Sequence, residues 1–498
     1  MFDDQDAIAK LSTAIAQLHT GPIPDTVLPS QKYLTQARES LIQHLPDAGL
    51  GVQKVIQHLR EDIAPGFNAS SRSPNYYGFV TGGSTPAASL ADNLTTAYDQ
   101  NVQIHLPKET IATELEDRAL SLLCELLMLD PAQWQHRTFT TGATASNVVG
   151  LACGREYVIS IRNTSSVSVG EVGIYEALHR AGLDKIQLLT TVPHSSLGKA
   201  AALIGLGRAS VKTVGLREQP YKFDMELLEK LLQQPGVASI VAISAAEVNT
   251  GLFATSGLAE MQKIRKLCDI YGAWIHVDGA FGILGRVLAG KTYEIITQGC
   301  EGMELADSIT GDGHKLLNVP YDCGFFVSRH RDIAQSVFWN PNAAYLNATA
   351  GSDAIPSPLN IGIENSRRLR ALPVYATLTA YGRTGYREML ERQIVLARMI
   401  ADFILDSPSY ELLPQSSGSK EESLASIYII VLFRAKDEEV NAELVQRINA
   451  TGKVYVSGTS WDGRPACRFA VSNWQVDATR DFPVVRHCLE YVAISKKE

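Results

Sequence analysis

Between about residue 136 and residue 279, short apolar runs alternate with helix-like segments at close intervals. "KIQLLTTV" is followed by "SLGKAAALIGL", "SVKTVGL" by "DMELLEKLLQQ", and "VASIVAISAA" by "LAEMQKIRKLCDIYG", ahead of "AWIHVDGA". Runs this apolar suit strands covered on both faces, and the intervening helices are the crossovers that parallel strands need. The pattern predicts an α/β fold built on a mostly parallel sheet with helices on both faces. Before it come helix-like stretches at 6–18, 31–45, 50–62 and 110–128. After it comes a largely helical region at 360–405, then "SIYIIVLF" and "CRFAVSN", which read as strands of a smaller α+β domain. A chain of 498 residues is too long for one small core.

Open sheets of this kind bind ligands outside the carboxyl ends of their strands. Four such ends carry unusual residues. In "TTGATASN", Gly142 closes a strand and Ala143 and Thr144 open a helix, a combination suited to an anion; a plain structural turn is the alternative. In "VPHSSLGKAA", His194 precedes a helix, where it could stack on a flat ring, handle a proton or simply cap the helix. In "WIHVDGAFG", Asp278 ends an apolar strand. A carboxylate there needs a cation or donors, because an uncompensated buried charge costs several kcal/mol. His276 points to the same strand face as Asp278, so a metal pair is a rival reading, although no ligand cluster with metal spacing lies nearby. In "DSITGDGHKLLNVPYDCG", His314 and Lys315 follow a strand and a loop carrying Gly311, Asp312 and Gly313. A desolvated lysine forms a Schiff base with an aldehyde, and a carboxylate facing a pyridinium nitrogen is its complement in pyridoxal phosphate (PLP) chemistry.

Composition narrows the partners. The net charge of −8 and a pI near 5.8 argue against nucleic acid or an acidic membrane surface, each of which calls for a basic face. The seven cysteines show no C-x-x-C pair, so reduced thiols are expected and neither a disulfide framework nor a zinc site. The acidic start "MFDDQDAIAKLSTAIAQL" lacks the form of a secretory signal, and no apolar run is long enough to span a bilayer. A cytoplasmic, soluble protein is expected.

The four segments together resemble the group II PLP-dependent amino-acid decarboxylases, which include aromatic-L-amino-acid, tyrosine, histidine and glutamate decarboxylases. The lysine segment is similar to D-S-x-x-x-D-x-H-K-W-L-x-x-P-x-D-C, "WIHVDGAFG" to W-x-H-V-D-A-A-x-G, "PHSSLGKAA" to H-S-S-x-x-K-A, and "SPNYYGFVTGG" to the H-P-x-F-F-A-Y segment. The likeness runs from about residue 35 to 475. It implies the type I fold of PLP-dependent transferases, aspartate-aminotransferase-like. The implied units are an N-terminal helical segment (1–85) packing on a dimer partner, a large PLP-binding domain (86–375) and a small C-terminal domain (376–498).

The resemblance also implies roles. Lys315 would hold PLP, Asp278 would pair with its ring nitrogen, and His194 and Ala280 would cover the two ring faces. Ala143, Thr144 and His314 would lie about the phosphate. Tyr345, at the family's spacing beyond the lysine, would protonate the substrate carbon after CO2 leaves. Arg468 would meet the substrate carboxylate, and Tyr77 belongs to an aromatic stretch suited to a substrate pocket. No metal is implied. The implied function is decarboxylation of an L-amino acid to its amine, with an aromatic substrate such as tyrosine, tryptophan or DOPA favoured. An aromatic aldehyde synthase or a C–C lyase on the same fold is the nearest alternative, and relatives making aldehydes replace the tyrosine or the histidine. A catalytically inactive assembly protein and a metal hydrolase using His276 and Asp278 are alternatives of other classes. Leu316 stands where the family has tryptophan, Gly279 where it has alanine, and "AAEVNTGLFATSG" departs from G-T-T-x-x-G-A-F-D, which leaves the substrate open.

Overall fold

The computed structural model describes residues 9, 12, 13, 15–17, 21–162, 168–340, 355–415 and 418–494. The seven strands of the larger sheet are β1 (His136–Thr140), β2 (Lys185–Thr190), β3 (Val211–Thr213), β4 (Val237–Ser244), β5 (Trp274–Asp278), β6 (Ser308–Asp312) and β7 (Gly324–Ser328). Their spatial order is β1-β7-β6-β5-β4-β2-β3. Only β7 runs against its neighbours, pairing antiparallel with both β1 and β6. The remaining pairs are parallel, as the alternation of apolar runs and helices predicts.

This arrangement brings the ends of β1, β2, β4, β5 and β6 to one edge. In register, Ser244 lies beside Asp278 and Asp278 beside Thr310. The central strands are buried along most of their length, which explains their continuous apolar runs. Gly311 and Asp312 differ from the expected loop. They complete β6, with Asp312 opposite Gly324 of β7, and a single helical turn, Gly313–Leu316, follows directly.

A second sheet of four antiparallel strands, in the order β10-β11-β9-β8, comprises β8 (Tyr410–Leu413), β9 (Ile430–Ala435), β10 (Ser457–Trp461) and β11 (Arg464–Ala470). The helix Ala371–Asp406 buries residues against both cores and crosses the expected boundary at 375/376, with non-helical backbone at Gly382. The N-terminal arm joins the small sheet. The Tyr77 N–H donates to the Tyr455 carbonyl (2.8 Å), and the Ala470 N–H donates to the Tyr77 carbonyl (2.9 Å). All seven cysteines are unpaired and buried. Among the described residues no helix is long and apolar enough to cross a membrane.

Candidate active site

A cavity of about 330 Å³ opens at the carboxyl edge of the large sheet. The turn after β1 supplies Gly142, Ala143 and Thr144, the loop after β2 supplies His194, and β5 and the turn after it supply Asp278 and Ala280. His314 and Lys315 come from the turn after β6. Four strand ends read separately in the sequence thus line one space.

Lys315 sits on the turn Gly313–Leu316. Its Nζ lies 3.0 Å from Asp312 Oδ2 and 5.6 Å from the ring centre of Phe281. Asp312 is the group that sequence reasoning passed over. Its other oxygen accepts the Ala143 N–H at 2.6 Å, at the start of the helix Ala143–Ser160, and lies 3.5 Å from His314 Nε2. The i, i+3 spacing to Lys315 was the available signal. His314 stacks on Tyr321, 4.1 Å between centres, and its Nδ1 accepts the Cys323 N–H. Burial pushes the His314 imidazole below its ordinary value, against the pull of Asp312. A side chain at Gly142 would stand 3.3 Å from His314 Cε1 and 3.4 Å from Asp312 Oδ1, so the narrow turn keeps its glycine.

Asp278 is held by donors. Asn147 Nδ2 donates to its Oδ2 at 3.0 Å and the Ala280 N–H to its Oδ1 at 3.3 Å. Asn147 was likewise missed, since nothing in its local sequence announces a partner on β5. His194 both caps a helix and lines the cavity: its Nδ1 accepts the Ser196 N–H (3.2 Å) at the start of Ser195–Leu203 and faces Ser196 Oγ at 2.8 Å. Burial lowers its pKa, partly offset by Asp278. His276 commits both ring nitrogens, Nδ1 to Ser308 Oγ (2.8 Å) and Nε2 to Asn147 Oδ1 (2.9 Å), so the metal pair with Asp278 is not formed.

Two residues expected to contact substrate lie outside the cavity lining. Tyr77 is fully buried in the small-domain core, edge-on to Phe469, because the chain around it is paired into that domain; its hydroxyl donates to Asn75 Oδ1. Arg468, 7% exposed, does not line the cavity; its Nη1 donates to the Val248 carbonyl from behind the loop that follows β4. Tyr345 lies outside the described residues. The wall after β4 instead presents Glu247, whose carboxylate accepts the backbone N–H of Asn249 and both the N–H and hydroxyl of Thr250.

The residues present fit PLP. An amine, a donor-held carboxylate, a flat imidazole and a glycine-led helix start share one cavity. The family model described as the pyridoxal-dependent decarboxylase conserved domain matches residues 35–423. The chain belongs to that family. This decarboxylase is 30% identical to L-2,4-diaminobutyrate decarboxylase of Acinetobacter baumannii over 325 residues, 63% of this chain and 58% of that protein. It is 24% identical to aromatic-L-amino-acid decarboxylase of Catharanthus roseus, over 92% of this chain and 86% of that protein. Its fold matches Oryza sativa TDC, solved with PLP and tryptamine, with a TM-score of 0.80, 21% identity and coverage of 99% and 98% of the two chains. It is a PLP-dependent amino-acid decarboxylase family enzyme.

Proposed function

We propose that the enzyme decarboxylates an aromatic L-amino acid to its amine, with Lys315 as the covalent anchor of PLP. PLP, when bound, supplies an electron sink for the pair left behind by CO2. The roles follow from the chain's own groups. Ala143 and Thr144, at the helix start, bind the phosphate, with His314 beside them. Asp278 keeps the ring nitrogen protonated and so maintains the sink. His194 covers one ring face and Ala280 the other. Tyr345 delivers a proton to the substrate carbon.

Two observations support an aromatic substrate. Phe281 and Tyr321 line the cavity, and Tyr76, Phe79 and Tyr455 form an aromatic cluster close by, with Tyr76 and Tyr455 stacked at 4.5 Å. Relatives with aromatic substrates in their names also match over most of the chain. A second reading, an amino acid with a cationic side chain, is favoured by the diaminobutyrate-decarboxylating relative. In both readings Arg468 shapes the pocket by holding the Val248 carbonyl.

We also propose a homodimer in which the N-terminal segment, 1–85, meets the second copy through its helices, beside a large domain (86–375) and a small one (376–498). The helices Gln31–Ser40 and Val52–His58 bury no residue in their own chain, and Leu45 is 95% exposed.

The single observation that carries the functional reading is the convergence of Lys315, Asp278 and His194 on one cavity. The Lys315→Ala protein should lose the visible absorbance of the lysine-bound coenzyme and turn over no substrate. A variant retaining that absorbance would refute the anchor. Measuring CO2, amine and peroxide with tyrosine, tryptophan, DOPA and 2,4-diaminobutyrate separates the two substrate readings and the aldehyde-forming alternative.

A further inference from the structure

Behind the cavity wall, a run of hydrogen bonds links the two groups proposed to face the coenzyme ring, and its direction is set by a carboxylate at one end that accepts and an indole at the other that can only donate. Trp274 Nε1–H donates to Ser308 Oγ at 2.9 Å. Asp278, a carboxylate, takes the Asn147 NH2, which turns Asn147 Oδ1 towards His276 Nε2 and places the imidazole hydrogen there; Nδ1 is then the acceptor of the Ser308 hydroxyl hydrogen at 2.8 Å. Burial lowers the pKa of this imidazole to about 4, so it is neutral at pH 7. Nε2–H donates to Asn147 Oδ1 at 2.9 Å.

The Asn147 NH2 group therefore faces the site. It reaches Asp278 Oδ2 at 3.0 Å and Ser196 Oγ at 3.1 Å. Ser196 Oγ accepts there and donates to His194 Nδ1 at 2.8 Å, where the Ser196 backbone N–H also arrives. With Nδ1 accepting, the nitrogen left for the cavity is Nε2, and it carries the hydrogen. Turning the Asn147 amide over would set its NH2 against His276 Nε2–H and its oxygen against the Asp278 carboxylate, two repulsions in a buried place.

We infer that Asn147 is a positioning residue that sets the hydrogen-bond polarity of both ring-facing groups: Asp278 is kept an acceptor-only carboxylate and His194 presents Nε2–H to the cavity. An amide relays no proton. The run holds hydrogens in place and conducts none, so His194 serves the site as a donor and a flat surface. This inference rests on the proposed coenzyme site, and the two can fail separately.

The test uses the full-length, PLP-loaded protein. Solid-state 15N spectra of histidine-labelled enzyme, with His194 and His276 assigned by His194→Gln and His276→Gln, should show Nε2 protonated and Nδ1 bare in both rings. Asn147→Asp keeps the shape, removes the two donated hydrogen bonds and puts a like charge beside Asp278. PLP affinity, read by fluorescence titration, should fall about tenfold or more, the worth of one charge-assisted hydrogen bond. Ser196→Ala leaves Asp278 its donor and His194 its backbone N–H, so its PLP affinity should stay within about threefold of wild type, the loss of at most one neutral hydrogen bond.

Hydrogen on Nδ1 of either histidine overturns the inference. So does an Asn147→Asp protein that binds PLP as tightly as wild type, or a Ser196→Ala protein that loses as much as Asn147→Asp. If Asn147→Asp does not fold, the wild-type spectrum and Ser196→Ala decide. Retained coenzyme absorbance in Lys315→Ala would instead refute the anchor while leaving the direction of the run intact.

Discussion

Asp312 holds the Ala143 N–H, which belongs to the helix start proposed to take the phosphate, and it pairs with Lys315 as well. A carboxylate and a phosphate cannot share that donor without repulsion, so Asp312→Asn should tighten PLP by several-fold, on the scale of one partly buried charge contact. Pyridoxal, lacking the phosphate, should change much less. Comparing the two dissociation constants checks this, and weaker PLP binding by the variant would show that Asp312 assists the anion. Lys315, Asp278 and His194 were legible because each lies at or just beyond the end of a strand, with a residue type that a buried edge does not tolerate idly. The contacts of Asp312 with Ala143 and of Asn147 with Asp278 were not legible, because the partners are 169 and 131 residues apart in the chain and only the closed sheet brings them together.

At the scale of elements, the helix Ala143–Ser160 seats itself on the sheet through two glycines. A Cβ on Gly150 would stand 2.5 Å from His276 Cε1, and one on Gly154 2.9 Å from Trp274 Cδ1. Alanine is the better helix former by about 1 kcal/mol, yet overpacking against two buried rings costs about 1–3 kcal/mol, and the clash should win. Gly150→Ala should therefore lower the melting temperature. By pushing on His276 it should also weaken PLP binding, which calorimetry and a coenzyme titration would show together. The apolar alternation made the parallel strands legible. The reversed direction of β7 was not, since antiparallel and parallel strands buried on both faces have the same composition. Gly311 and Asp312 read as loop because glycine and aspartate disfavour strands; their ladder to Phe325 and Gly324 overrides that preference.

For the molecule as a whole, acid should be the weak side. Burial lowers His136 and His276 to about 4 from the 6.5 of an exposed imidazole. The unfolded chain therefore takes up protons in that window while the folded one does not. Stability should be complete above about pH 6.5 and fall as pH drops towards 4, by on the order of 3 kcal/mol for each histidine. Melting temperatures across this range should show the slope, and His136→Gln should flatten it. The exposed N-terminal helices predict a mass near twice 54.2 kDa by light scattering, and removal of residues 1–66 should yield monomer or aggregate. One residue ties these scales together. The buried Asn318 side chain donates from Nδ2 to the carbonyls of Gly82 (2.7 Å), Lys315 (3.3 Å) and Ser472 (3.1 Å), so the N-terminal arm, the lysine turn and the small domain meet at one amide. The backbone around Lys315 should then exchange its hydrogens with water only through openings that also release segments near 82 and 472, and all three should share one slow exchange rate.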